Sequence, residues 1–133
     1  MNNLIKGMAP LMQVFDMPKA IHFYRDIIGF KLIQSSADTD DCDWCLLELN
    51  NIQLMLNTAY EKAYRPATPD ITRMQHHADT ALYFGAPDVD ALFQYFISKN
   101  ISLKQPYITG YGFKAIDLED PDGYHLCFHW PVN

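Results

Sequence analysis

FKAIDLEDPDGYHLCFHW, residues 113–130, reads as two strands folded back across a turn. Asp120-Pro121-Asp122-Gly123 supplies that turn: proline presets the backbone angle of an early turn position, and glycine takes the left-handed position that follows. A three-residue turn over Pro121 to Gly123 pairs Leu118 with Leu126 and Ile116 with Phe128 on one face. The opposite face then carries Asp117 beside Cys127, Ala115 beside His129 and Glu119 beside His125, because strand side chains alternate. One face is apolar and suits a covering helix. The other is polar and suits a ligand.

Upstream of this hairpin, Thr80 to Phe84 reads as a strand. Asp88 follows as a helix N-cap, and Val89, Leu92, Phe93 and Phe96 recur at helical spacing. Asn100 ends that helix, and Ser102 to Tyr107 is expected to form a short strand around Pro106. The same order occurs in the first half of the chain. Pro10 to Val14 is a strand, Asp16 is a cap, and Pro18 sits in the tolerated first turn. Ala20, Ile21, Tyr24, Ile27 and Ile28 mark the buried helix face, and Gly29 is its left-handed end. Strands follow at Phe30 to Gln34, Trp44 to Leu49 and Ile52 to Leu56, the last two joined by Asn50-Asn51. Ala91, Tyr95 and Asn100 each lie 71 residues after Ala20, Tyr24 and Gly29. The expected fold is therefore α+β, with two βαβββ modules at about 8–57 and 80–131 in a single domain. A linker at about 58–79 carries Pro66, Pro69, His76 and His77.

Length and composition agree with one globular domain. The chain has 133 residues, 49% hydrophobic and 20% charged, with three cysteines and a formal net charge of −6. That acidic balance speaks against a nucleic-acid partner and would attract a cationic ligand. No apolar run is long enough for a membrane span, and Met1 to Lys6 lacks the order of a secretion signal. A cytoplasmic protein with reduced thiols is expected.

Strand alternation names the candidate ligand-binding face. A two-residue turn at Asn50-Asn51 pairs Leu47 with Leu54 and Leu49 with Ile52, which leaves Trp44, Leu46, Glu48, Gln53, Met55 and Asn57 on the other side. The first strand adds Leu11 and Gln13, and the strand at Thr80 is expected to add Leu82 and Phe84. Asp117, Cys127 and His129 come from the last hairpin, with Tyr111 and Phe113 as aromatic wall or lid. Small-molecule sites have this mixture of apolar walls and a few polar groups.

Val14-Phe15-Asp16, Ala20 to Phe30, Asp88 to Leu92 and Asp120-Pro121-Asp122-Gly123, in this order, resemble the vicinal oxygen chelate superfamily. That group includes glyoxalase I, bleomycin-resistance proteins and extradiol dioxygenases. The resemblance implies two βαβββ modules in a curved half-barrel sheet, with helices on the convex side and the ligand on the concave side, usually in a homodimer. In metal-dependent members four inward strand positions carry the ligands, and these fall here on Ala9, Met55, Thr80 and Cys127, with Asp79 as the alternative to Thr80. Ala has no donor, Met is a soft thioether and Thr is a poor ligand, so neither a metal nor another cofactor is expected. The chain is closest in character to metal-free members. The expected function is metal-independent binding of a small molecule, cationic or aromatic. The alternative is a small lyase, isomerase or dioxygenase-like enzyme that uses Asp117 and His129 as acid and base, or an unrecognised metal site.

Four other features have plainer readings. His125 and His129 stand roughly 13 Å apart at about 3.3 Å per residue, too far for one ion on a straight strand. Cys42-Asp43-Trp44-Cys45 has CxxC spacing but enters a strand rather than a helix N-terminus, where a thiol would be activated. Asp38, Asp40, Asp41 and Asp43 lack a calcium loop's glycine and read as a solvated acidic loop. Arg65, Arg73, His76 and His77 read as solvated surface groups of the linker.

Overall fold

The computed structural model describes residues 2–133, which form two compact units, 2–69 and 70–133. Each unit holds one four-stranded mixed sheet.

In the first unit, β1 (Leu11–Val14) leads into α1 (Met17–Ile21), which continues as a π-helical segment over His22–Ile28. Asp16 caps the helix by accepting a hydrogen bond from the Lys19 backbone N–H. Gly29 ends it at φ 110°, and the N–H groups of Gly29 and Phe30 both donate to the Tyr24 carbonyl. The buried face comprises Met17, Ala20, Ile21, Phe23 and Tyr24, while Ile27 and Ile28 are only half-buried. β2 (Lys31–Ser35), β3 (Trp44–Leu49) and β4 (Ile52–Thr58) complete a sheet of order β1-β4-β3-β2. Leu47 pairs with Leu54 and Leu49 with Ile52, as the two-residue turn requires, with Asn50 at positive φ. Cys45, Leu47, Leu54 and Leu56 are buried on the helix side. A short 3₁₀ turn, Lys62–Tyr64, follows.

The second unit opens with α2 (Ile71–His77), capped by Asp70. Then come β5 (Ala81–Gly85), α3 (Val89–Ser98), β6 (Tyr107–Ile108), β7 (Phe113–Glu119) and β8 (His125–Pro131). The sheet order is β5-β8-β7-β6. Asp88 caps α3 through the Ala91 N–H, and Asn100 follows at φ 63°, the counterpart of Gly29. Val89, Phe93 and Phe96 are buried, and Phe96 meets the ring of Phe128 at 5.3 Å between centroids. The β7–β8 register matches the expected hairpin at every pair, Asp117 with Cys127 included. The expected strand over Ser102 to Tyr107 is not formed. Only Tyr107 and Ile108 pair with β7, because Pro106 offers no N–H to a ladder.

The chain between the expected modules is partly ordered by α2. His77 stacks on Tyr124 at 4.1 Å and 9°, and its Nδ1 lies 2.6 Å from the Asp122 carbonyl. A carbonyl only accepts, so Nδ1 carries the proton. His77 is thus a docking residue rather than a solvated one, while His76 is exposed. Gly123, at φ 86°, leaves space for the Met74 carbonyl, which would lie 2.5 Å from a Cβ at that position.

Candidate functional site

Parallel pairing of β5 with β8 fixes which residues share the polar face of the second sheet. Tyr83 lies beside Cys127, Ala81 beside His125 and Gly85 beside His129. Leu82 and Phe84 therefore lie with Leu126 and Phe128 on the helix side, which corrects their expected place among the ligand-facing residues. Phe84 stacks on Phe128 at 4.8 Å. In Ala81-Leu82-Tyr83-Phe84-Gly85 both alternate sets hold a large ring, so alternation alone does not settle the strand's parity.

Asp117 is the centre of this face. Its Oδ2 accepts from the Tyr107 hydroxyl at 2.5 Å, and its Oδ1 lies 2.8 Å from His125 Nε2. Partial burial alone would push its carboxyl up, but hydrogen bonds from Tyr107, His125 and Cys127 together hold it below the ordinary carboxylate value. The hydrogen bond to Asp117, with burial, raises the Tyr107 phenol. Burial first, then the Asp117 charge, pushes the Cys127 thiol up to about 12. A carboxylate in this state only accepts, so His125 donates from Nε2. In the neutral ring, Nδ1 then remains as an acceptor.

The expected Asp117–His129 pair is replaced by Asp117–His125. Asp117 lies opposite Cys127, and both histidines stand two residues from that cysteine, so either ring is a diagonal neighbour. Aromatic packing decides between them. His129 stacks on Phe113 at 4.6 Å and meets Tyr83 edge-on at 5.1 Å, with its Nδ1 buried and without a hydrogen-bond partner. Tyr111, largely exposed, lies 5.4 Å from Phe113.

A cleft of about 630 Å³ opens over one end of this face. Asp117, Glu119, His125 and Tyr107 line it together with Ser102, Leu103, Lys104 and Gln105 of the irregular segment before β6. The sequence predicts a short strand from Ser102 to Tyr107 and marks none of its residues, Tyr107 included, as ligand-facing.

The first unit holds its candidates on one face as well. Leu11, Met55 and Leu46 fall in one row, and Gln13, Asn57 and Trp44 in the next. Asn57 donates to Gln13 Oε1 at 3.3 Å, and Gln53 donates to Glu48 at 3.1 Å. Two carboxylates of the acidic loop, Asp40 and Asp41, are paired rather than merely solvated. Arg25 grips Asp40 with two hydrogen bonds of 3.0 and 2.9 Å, and Arg65 meets Asp41 at 2.5 Å. That pairing also removes Arg65 from the solvated group expected for it. Cys42 and Cys45 are buried free thiols, and burial foremost raises the Cys45 thiol to about 12, the opposite of an activated nucleophile.

The positions implied for a metal do not fit one. Ala9 has no donor, Met55 offers only a thioether, and Cys127 holds its proton. Thr80 precedes β5, and by register Ala81 rather than Thr80 shares the polar face. Among the described residues, no three His, Cys, Asp or Glu side chains gather into a metal-holding group.

Residues 8–128 match the family model described as Glyoxalase/Bleomycin resistance protein/Dioxygenase superfamily. No curated protein matches the chain. Among solved structures, TioX from Micromonospora sp. ML1 is similar at TM-score 0.73 and 15% identity, over 96% of this chain and 99% of that one. TnmS3, an antibiotic binding protein from Streptomyces sp. CB03234, is similar at 0.66 and 18%, over 98% and 100%. A lactoylglutathione lyase from Agrobacterium tumefaciens is similar at 0.67 and 17%, over 93% and 92%. At these identities the likeness concerns the fold.

Proposed function

The chain belongs to the glyoxalase/bleomycin resistance protein/dioxygenase superfamily, and on that footing we propose that it binds a small organic molecule without a metal ion. The observation that carries this reading is the cleft of about 630 Å³ beside Asp117, within the usual range for small-molecule sites of about 300–1,000 Å³. Tyr107, Leu103 and Leu118 give it apolar wall, and Asp117, Glu119 and His125 give it convergent polar groups. The unsuitable donor set at Ala9, Met55, Thr80 and Cys127 supports the metal-free half of the reading. That an antibiotic-binding protein stands among the similar folds is consistent with sequestration as a role.

Melting curves with added nickel, zinc, manganese and iron, beside elemental analysis of untagged protein, test the metal-free half. No metal should co-purify or raise the melting temperature, since a ligand of the native state must stabilise it. Near-stoichiometric metal would overturn that half. A fragment screen by amide chemical shifts tests the binding half: hits should move residues 102–107, 117–119 and 125. A screen whose hits all lie elsewhere would remove the cleft as the site.

A further inference from the structure

The hydrogen-bonding groups of this cleft restrict what it takes. We propose that its ligand is an organic amine held as its ammonium ion, with Asp117, Glu119 and the Nδ1 of neutral His125 as the recognising acceptors. This rests on the binding reading above and names its ligand class.

Donor and acceptor bookkeeping carries the argument. Asp117 fixes the orientation of His125 by accepting from Nε2–H, which leaves Nδ1 as a lone-pair acceptor without a hydrogen-bond partner among the described residues. Glu119 stands directly opposite His125 in the strand register and is exposed. The Tyr107 hydroxyl is already engaged in donating to Asp117. The sheet side of the cleft thus presents two carboxylates and one imidazole acceptor, and Lys104 is the only permanent cation among the lining residues. A ligand that bears N–H donors and positive charge satisfies all three acceptors. An anion meets two like charges. The Leu103, Leu118 and Tyr107 surfaces suit an apolar body attached to the amine.

The test titrates benzylamine, benzyl alcohol and benzoate into the full ¹⁵N-labelled chain, followed by amide shifts of residues 102–107, 117–119 and 125. At neutral pH benzylamine, there an ammonium ion, should bind in clear preference to both other probes. Glu119→Gln should weaken benzylamine about tenfold, the typical loss on removing a charged hydrogen-bond partner. His125→Phe, which keeps a ring but removes the acceptor, should weaken benzylamine as well. Benzyl alcohol or benzoate seated as tightly as benzylamine would overturn the amine assignment while leaving small-molecule binding intact. No shift with any of the three, or benzylamine shifts confined to other residues, would overturn the assignment too.

Discussion

At Asp117 burial and hydrogen bonding act in opposite directions, and hydrogen bonding prevails. Its carboxyl ionises more readily in the folded chain than in the unfolded one. A carboxyl with a depressed folded value stabilises the protein above the unfolded value, about 3.9, and this stabilisation is lost as pH falls through the folded value. Asp117→Asn should therefore melt below the wild type at pH 7, and the gap should close below about pH 4. A gap that persists undiminished at about pH 2 would mean that shape rather than charge sets the effect. Cys127 and Cys45 give a second residue-scale expectation. Both are buried thiols raised to about 12, and Cys42 is buried too, so a disulfide reagent should react slowly with the native chain and rapidly with all three thiols in denaturant. Fast native labelling at Cys45 would contradict its closed, protonated setting.

Among the elements, the turn after β7 joins sequence and packing most closely. The buried Asp120 carboxylate accepts from the N–H groups of Asp122 and Tyr124 at 2.8 and 2.9 Å, so the turn is held from within. Gly123 and Gly29 both adopt positive φ, but only Gly123 is crowded by backbone. Gly29→Ala should cost about 1–2 kcal/mol, the ordinary left-handed penalty. Gly123→Ala carries that penalty and also forces the Met74 carbonyl away, so its urea midpoint should fall further, with His77–Tyr124 stacking lost. Equal midpoints would show that α2 yields without resistance. This turn was legible because Pro and Gly act locally and the strand period of two then propagates the register to every pair of β7 and β8. The hairpin at Asn50-Asn51 was legible for the same reason. Where backbone identity does not fix geometry, the sequence was less informative. The parity of β5 was ambiguous, the partner of Asp117 depended on ring packing around His129, and Tyr107 reaches the site from the end of an irregular segment. About half of the candidate cleft, from Ser102 to Tyr107, lay in a stretch read as a strand that the chain does not form.

On the scale of the whole chain, each unit closes its own sheet and buries its own apolar face. The central pairs, β3 with β4 and β7 with β8, are flanked on both sides by other strands and lie against helix-side side chains such as Leu47, Leu54, Ile116 and Leu126. Amides there should exchange slowest, since opening them disrupts a full ladder and a core at once. Between the units the chain has a different character. Pro66, Ala67 and Thr68 are exposed and belong to no helix or strand, while the preceding stretch is tethered through Arg65 to Asp41. Proteolysis requires an accessible backbone that unfolds locally at little cost. The bond after Ala63 lies in the 3₁₀ turn, whereas the bond after Ala67 has neither turn nor ion pair to hold it. Limited digestion with elastase, which cuts after small residues, should therefore sever the chain first at Ala67, leaving one fragment that ends in the first unit and one that begins near Asp70. Mass spectrometry of the earliest internal cut decides the matter. A first internal cut inside β3–β4 or β7–β8 would show that a sheet opens more readily than the connection, contrary to the distribution of burial along the chain.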